Sequence, residues 1–405
     1  MTAASNTLLT PDQITREAIR ILHEKCVFAR SINREYDSSF AQTGAKIGST
    51  LRIRKPVKYL VSDGATMVKQ DTTETSLSLP VTSRKHVGMG FTTNDLSMNI
   101  DDFSARFIDP AMSALAATVD ADLISQATKA TFNQVGTVGT VPNTLKMYLQ
   151  ARAKLNQYLA PKDGRTQILS SVQSAEIVDA LKGLFNDTTQ VGNQYKEGMM
   201  GRTAGADWIE TESIHTHTNG TQTMVGTVGT TVSTDGTTTL VAAGMGASKT
   251  IKAGTVFTVA GVYAVHPETK VVRNGILQQF VVVSDATSDG SGAASLTVSP
   301  AMYYGSTAMQ NISAAPTSTA VLTCVGTAST GYEQALLFQK NAFTFATADL
   351  VLPNGVDMAS RQNYDGFSLR MIRDYNITDD EIGCRIDILY GFAPLYAEHA
   401  CRITS

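Results

Sequence analysis

The strongest constraint on this chain is a step in charge density. Between Thr216 and Gly326 only 8 of 111 residues are charged, about 7 %, whereas 61 of the other 294 residues are, about 21 %. This stretch is rich in Thr, Gly, Val and Ser, and turn clusters separate short β-branched runs at Thr255–Val262, Gln279–Ser284, Ser295–Ser299 and Thr319–Val325. Disorder would also give low charge and many Thr and Gly residues, but the regular β-branched runs favour a folded module. The pattern therefore predicts an all-β module inserted into a different host.

Three further expectations follow for this module. Side chains that alternate with period two can fill one barrel core, which predicts inward positions for Val256, Phe257, Val259, Phe280, Val282, Leu296 and Val298. The host chain must also leave and return at neighbouring points, so Gly220 and Gly331, which bracket the segment, are expected to lie close together. We expect the barrel to fold by itself and to stabilise the subunit.

The host reads as a mixture of α and β structure. Apolar periodicity and capping residues predict helices over about Pro11–Arg34, Pro110–Thr131, Asn143–Leu159 and Gln173–Phe185. The second of these has the apolar stripe Met112, Leu115, Ala116, Val119, Leu123 and Ala127. After the insert, strands are predicted over Leu336–Leu352, Ser368–Tyr375 and Cys384–Phe392.

A polar connection joins two alternating strands near the N-terminus. Leu51–Arg54 and Leu77–Val81 alternate apolar and polar side chains, and Val61–Thr75 between them is polar with a bend at Asp63-Gly64. A compact domain would use a shorter turn. We therefore expect an arm over about residues 55 to 85 that contacts a neighbouring subunit through the polar side chains of its middle part, Asp63, Lys69, Gln70, Asp71 and Glu74. The alternative is a mobile surface loop.

A search for catalytic and cofactor sites finds none that satisfies the chemistry. Gly244–Thr250 resembles a phosphate-binding loop, but Ser248 stands where the glycine before the lysine is required. His215 and His217 could ligate a metal from one strand face, yet no third ligand is nearby in sequence, and a polar domain junction is the alternative setting. We therefore expect no catalytic, cofactor-binding or metal-binding residues, and no enzyme.

The net charge and the hydropathy of the chain argue against two further classes of protein, basic nucleic-acid binders and membrane proteins. The net charge of −3 argues against a generally basic nucleic-acid binder, although local basic strips stay possible. No apolar run reaches the roughly 18 residues that would span a bilayer, so no membrane partner is expected. A local strip does exist on the first helix, where Arg16, Arg20, Arg30 and Arg34 lie mostly off the apolar stripe.

Three stretches of sequence together resemble a known family. They are Tyr195–Thr221, which includes Tyr195-Lys196-Glu197-Gly198, Ala204–Trp208 and Ile214–Thr221; the start of the insert, Ala253–Val262; and the tail Cys384–Gly391. This combination resembles the major coat proteins of short-tailed phages of the Salmonella-phage type, which have the Hong Kong 97-like capsid fold with an inserted β-barrel. The order of elements matches over nearly the whole chain.

The resemblance implies an α+β, Hong Kong 97-like phage capsid fold with an inserted all-β barrel. It divides the chain into an N-terminal arm and helix (1–48), an extended β loop (49–95), the spine helix with the first part of the central peripheral and axial domains (96–220), the barrel (221–329) and return strands that complete the central domain (330–405). The expected function is a structural major capsid protein that self-assembles into the icosahedral shell around the double-stranded DNA of a tailed bacteriophage.

The resemblance also implies partners. These are further copies of the chain in hexamers and pentamers, a scaffolding protein during assembly, a portal protein at one vertex, nonspecifically held packaged DNA and, as an option, a decoration protein. The four arginines would contact DNA or an acidic scaffold on the inner wall, or else form an ordinary solvated face. The expected location is the virion capsid, and the host cytoplasm during assembly. The alternatives left open are a β-rich adhesin or other virion binding protein, and an enzyme with an uncommon site.

Overall fold

A computed structural model describes residues 11–35, 50–70, 74–92, 107–181, 201–305, 307–378 and 381–405. The protein is α+β and has two compact units, one within Met1–Ile53, Ser76–Leu123 and Phe343–Ala393, the other within Arg54–Thr75, Ile124–Ala342 and Pro394–Ser405. The described α-helices are α1 (Pro11–Lys25), α2 (Val27–Ser31), α3 (Asp109–Ala130), α4 (Leu145–Gln157) and α5 (Ser171–Leu181). Short 3₁₀ turns cover Lys340–Ala342 and Ala397–His399.

The strands fall into three groups along the chain. Before the barrel lie β1 (Thr50–Arg54), β2 (Ser76–Thr92), β3 (Gln134–Val135), β4 (Arg165–Leu169), β5 (Arg202–Thr203), β6 (Ala206–Glu210) and β7 (His215–Thr218). The insert contains β8 (Val225–Val228), β9 (Thr237–Ala243), β10 (Thr250–Ile251), β11 (Val256–Val265), β12 (Val272–Val282), β13 (Ala286–Thr287), β14 (Ala294–Met302) and β15 (Val321–Cys324). After it come β16 (Gly331–Gln339), β17 (Phe343–Thr347), β18 (Met358–Tyr364), β19 (Phe367–Asn376), β20 (Glu381–Pro394) and β21 (Ala400–Thr404).

The first unit is built on a six-stranded sheet in the order β1-β2-β20-β19-β18, with β17 also paired to β20. Strand β2 extends eleven residues beyond the predicted Val81, because Val81 to Thr92 pair antiparallel with Gly391 to Glu381 of β20. Its polar and glycine residues concealed that length, since they weaken the strand pattern. Helix α1 packs against β18 and β19.

The first helix is interrupted, and the prediction of one helix over Pro11–Arg34 is wrong. Cys26 adopts an extended conformation, with φ −76° and ψ 101°, between α1 and α2. The amides of Val27, Phe28 and Ala29 at the start of α2 donate instead to the buried carboxylate of Asp120 in α3. A distant acceptor therefore compensates for the break, which no local signal reveals.

The prediction for the long helix is confirmed. Helix α3 spans Asp109–Ala130, with Pro110 in its first turn, where a missing N–H costs nothing. Every residue of the predicted apolar stripe is at most 2 % exposed: Met112, Leu115, Ala116, Val119, Leu123 and Ala127.

The second unit contains a seven-stranded sheet in the order β3-β21-β16-β4-β6-β5, with β7 paired to β16. Helix α4 covers one face of this sheet. Its residues Tyr148, Ala151 and Leu155 share an apolar core with Leu337 of β16 and Ile403 of β21. The prediction of one strand over Leu336–Leu352 is wrong, because the 3₁₀ turn Lys340–Ala342 separates β16 from β17, and these two strands belong to different sheets.

The insert forms a closed six-stranded barrel in the order β11-β12-β14-β9-β8-β15. The inward positions predicted for Phe257, Val259, Phe280, Val282, Leu296 and Val298 are confirmed, since all six belong to its apolar core. The inward position predicted for Val256 is wrong, because its side chain lies on the outer face of the barrel and packs against Phe132 and Val281. Neighbouring residues of a strand point to opposite faces, so Val256 and Phe257 cannot both point inward.

The two ends of the insert meet, as expected. The amide of Ser329 donates to the carbonyl of Gly220 at 3.0 Å, and Gly331 pairs with Thr218 in the β16–β7 ladder. The side chain of Asn219 adds hydrogen bonds to the carbonyls of Val325 and Thr327. Strands β8 and β9, which sequence analysis did not identify, complete the closure.

Candidate assembly surfaces

The predicted arm is a loop between β1 and β2 whose two sides are bonded to each other. At its base the amide of Lys55 donates to the carbonyl of Thr75 at 2.8 Å. Further out, the side-chain amide of Gln70 bonds both backbone groups of Leu60, accepting from its N–H at 2.9 Å and donating to its C=O at 2.5 Å. This two-point contact acts like one rung of a ladder. It closes residues 61–69 into a defined tip.

The tip exposes apolar as well as polar side chains. All ten residues from 61 to 70 are exposed. Four large apolar side chains around the tip, which we call the tip quartet, are exposed by 59 to 96 %: Tyr59, Val61, Met67 and Val68. Sequence analysis missed them because it weighed only the polar residues, although Met67-Val68 is visible in the sequence. Clustered exposed apolar side chains mark contact surfaces more often than free surface.

The predicted polar residues of the arm are spread along it and not brought together. Asp63 and Lys69 are exposed and make no ion pair with any other described residue. Glu74 lies 3.6 Å from Arg54, both of them well exposed. Gln70 holds the loop closed, and Asp71 lies outside the described residues.

The arm is attached at its base by a residue that sequence analysis did not select. The Lys55 ammonium lies 5.4 Å from the centre of the Tyr396 ring, a cation–π contact. Burial lowers the pKa of Lys55, partly offset by Glu398. A half-buried lysine at this place shows that the Lys55 side of the base is packed.

The four predicted arginines divide into two pairs. Arg20 is bonded to Glu17 and Glu24 of its own helix, both at 2.6 Å, and Arg34 is bonded to Asp365 at 2.8 Å. Arg16 and Arg30 are exposed, and neither makes an ion pair within the part of the chain that the structure describes. Half of the predicted basic strip is therefore neutralised inside the subunit.

A buried charge cluster stabilises the first unit's sheet. Asp387 of β20 is fully buried and accepts from Arg370 at 2.7 Å, Arg385 at 2.7 Å and Arg84 at 3.1 Å. Burial alone would raise the pKa of Asp387, but the hydrogen bonds from these arginines outweigh it and hold that pKa below its ordinary value. Arg84 lies 303 positions from Asp387 in sequence, and Arg370 lies on the neighbouring strand 17 positions away, so no local pattern identifies the cluster.

The described residues contain no group of three His, Cys, Asp or Glu side chains that could hold a metal ion. No described helix is long and apolar enough to cross a membrane. His215 and His217 lie on β7 with half-buried and buried side chains, and their Nε2 atoms have no hydrogen-bond partner among the described residues.

Comparison with known proteins gives a family. Residues 3–400 match the family described as P22 coat protein, gene protein 5. The chain belongs to the P22 coat protein family. As a coat protein it is the major capsid protein of a tailed phage, it forms the shell, and its role is structural and not enzymatic. The alternatives of a surface adhesin and of an enzyme are thereby set aside.

Solved structures resemble this coat protein in fold. A structure from Mycobacterium phage Che8 aligns with a TM-score of 0.50 at 12 % identity, over 93 % of this chain and 90 % of the other. The capsid of cyanophage P-SCSP1u gives a TM-score of 0.44 at 12 % identity, over 88 % and 83 %. The mature capsid of bacteriophage PhiM1 gives 0.43 at 9 % identity, over 87 % and 81 %. None of the curated proteins compared matches the chain.

Proposed function

We propose that this coat protein has the Hong Kong 97-like fold and assembles into hexamers and pentamers by laying the loop between β1 and β2 across a neighbouring copy. The tip quartet carries this proposal. Val61, Met67 and Val68 stand in solvent in the tip that Gln70 holds closed, and Tyr59 stands in solvent just before it. A covered tip explains this composition, whereas a mobile surface loop does not.

The energetics favour apolar contact over charge pairing at the tip. Burying one such side chain contributes about 1.5–3 kcal/mol. Exposed ion pairs contribute only about 0–1 kcal/mol. We therefore expect Asp63 and Lys69 to meet opposite charges at the rim of the contact, where they set its register, while the tip quartet supplies the stabilisation. Each subunit would make and receive such a contact, so that modest interfaces accumulate around a closed shell.

A pair of charge substitutions at the tip tests the proposal. Met67→Asp and Val61→Asp change side chains that are 81 % and 96 % exposed in the subunit, so the purified subunit should keep its circular dichroism spectrum and melting temperature. Shell yield, measured by sedimentation and negative-stain microscopy, should fall at least tenfold. The matched control is Val172→Asp, which changes a 56 % exposed valine in the first turn of α5, where an acid suits the helix dipole. Normal shell yield from both tip variants would refute the contact.

We also propose that Arg16 and Arg30 face the inner wall and contact packaged DNA or an acidic scaffolding protein. The support is their exposure and the absence of an ion pair to any described residue, although the charge of Arg30 also acts on Asp120, where it opposes the rise in pKa that burial causes. Contacts of arginine to phosphate weaken with salt and show little sequence preference. Arg16→Gln with Arg30→Gln should lower DNA retention or scaffold-dependent assembly, whereas the internally paired Arg20→Gln with Arg34→Gln should not. Wild-type behaviour of the Arg16→Gln, Arg30→Gln variant in both assays would return all four arginines to a solvated face. We propose as well that a portal protein occupies one vertex of the shell.

A further inference from the structure

The barrel contacts the rest of the second unit at several places, among them Gln279 against Gln134 of β3 and Gln278 against Tyr158 at the end of α4. One further contact lies on the face of the sheet opposite α4. On β21 the side chains of Cys401 and Ile403 belong to the core with α4. Arg402 between them therefore points to the opposite face. Its Nε donates to the carbonyl of Thr131, just beyond α3, at 2.8 Å, and its Nη1 donates to the carbonyl of Gly254 at 2.9 Å. Gly254 lies in the turn before β11, so one side chain joins helix, sheet and barrel.

The surroundings of the Arg402 side chain are unusual for a charged group. It is 1 % exposed, its Nη2 has no hydrogen-bond partner, and no carboxylate pairs with it among the described residues. A buried cation without an anion is costly. Burial lowers the pKa of Arg402, yet a guanidinium keeps its charge at neutral pH.

The other groups at this place add positive charge. A Cβ built at Gly254 would lie 3.1 Å from the His217 ring and 3.1 Å from Cγ of Lys129, so both side chains crowd this turn. His215 lies on the same face of β7, with its ring centre 6.3 Å from that of His217. The nearby carboxylates are engaged elsewhere: Asp285 bonds Lys252 and the amide of Ala253, and Glu333 of β16 accepts from Ser170.

We propose that Arg402 positions the barrel on the sheet and that His215 and His217 make this attachment sensitive to acid. With both histidines neutral, the junction holds one buried guanidinium, bonded to two carbonyls, and Lys129. Protonation of either ring brings another cation close to this buried guanidinium, which raises the free energy of the docked state. The barrel then separates from the sheet while its own closed ladder stays intact.

The sign and size of the effect follow from the histidines. Burial, Lys129 and Arg402 lower the pKa of His215 to about 4, and burial, Arg402 and His215 lower the pKa of His217 to about 3. A histidine whose pKa is depressed in the docked state opposes docking below its free value near 6.5. The attachment is therefore full above about pH 7 and weakens as pH falls through 6 and 5. Each histidine would contribute roughly a 20-fold change in the opening equilibrium between pH 7 and pH 5.

Hydrogen exchange of the full-length subunit at pH 7 and pH 5, corrected for the intrinsic pH dependence of exchange, tests the proposal. A peptide over 129–135 reports the junction, because the Gln134 amide in it donates to the side chain of Gln279 in the barrel at 3.0 Å. A peptide over 257–262 reports the barrel. At pH 5 the junction should lose at least about 20-fold of its protection, while the barrel peptide keeps its own. His217→Gln should reduce that loss and His215→Gln with His217→Gln should abolish it. His86→Gln, which changes an exposed histidine of the other unit, should behave as wild type.

Arg402→Lys separates positioning from acid sensitivity. A lysine keeps the charge but cannot bond both carbonyls in the same geometry. Junction protection should then be lower already at pH 7. Unchanged junction protection between pH 7 and pH 5 in wild type, or an equal loss in the double histidine variant, would overturn the proposal even if Arg402→Lys failed to fold.

Discussion

The carboxylate of Asp120 lies 2.6 Å from the backbone nitrogen of Val27, 93 residues away in sequence. The same side chain accepts from the amides of Phe28 at 3.1 Å and Ala29 at 3.2 Å. One acid of α3 therefore caps the start of α2 and fixes where the first helix breaks. Burial raises the pKa of Asp120 although the three amides oppose this.

Asp120→Ala should strongly destabilise the subunit because it leaves three buried amide donors without an acceptor. We expect a loss of about 2–4 kcal/mol in the free energy of unfolding, measured as a shift of the urea midpoint. Asp120→Asn keeps one acceptor oxygen and should lose about half as much. Equal stability of wild type and the alanine variant would show that α2 does not depend on this cap.

Leu115→Asp should abolish soluble subunit. The side chain is 2 % exposed on α3, and an unpaired carboxylate there costs several kcal/mol. Ala117→Asp, on an exposed position of the same helix, is the control and should give normal soluble yield and normal assembly. Assembly of the Leu115 variant at wild-type yield would mean that this face of α3 is not packed.

Asp387→Asn should destabilise the first unit by about 3–5 kcal/mol at pH 7, because it leaves Arg370 buried without its anion. The pKa of Asp387 is held below its ordinary value of 3.8, so the carboxylate's contribution is complete above that pH and is lost as pH falls below it. The difference in urea midpoint between wild type and variant should therefore persist from pH 7 to pH 5 and shrink at pH 3. A constant difference over this range would contradict the assigned role of the charge.

The sequence was informative where a segment's own pattern decides its structure. The charge step located the barrel, period two placed six of its core residues, and the Asp109-Pro110 start located α3. These features are local, so they can be read without knowing what lies nearby.

Sequence analysis failed where a distant partner decides the structure. Asp120 breaks the first helix from 93 residues away, and β20 extends β2 through residues that look unlike a strand. Arg402 was overlooked because its burial depends on the barrel and the sheet meeting. The position and the exposure of the arm could be predicted. Its exposed apolar side chains were missed because only the polar and charged residues of the arm were weighed.

The isolated segment 221–329 should give a β-type circular dichroism spectrum and a cooperative melt. All six barrel strands find their partners inside this segment, and its ends meet at Gly220 and Ser329. Excision uncovers Val256 and Val281, which pack against Phe132 in the whole protein. Val256→Thr with Val281→Thr should therefore raise the segment's solubility without lowering its melting temperature by more than a few degrees. A disordered spectrum for the segment would refute autonomous folding.

We propose that the loop between β1 and β2 joins neighbouring copies of this chain in the shell. The most direct test is cryo-electron microscopy of particles formed when the coat protein is produced together with the scaffolding protein of its phage. We expect closed icosahedral shells in which Tyr59, Val61, Met67 and Val68 lie within about 4.5 Å of apolar atoms of a neighbouring copy, about the limit for apolar contact. Shells in which this tip stands free in solvent, or a failure to form shells at all, would contradict it.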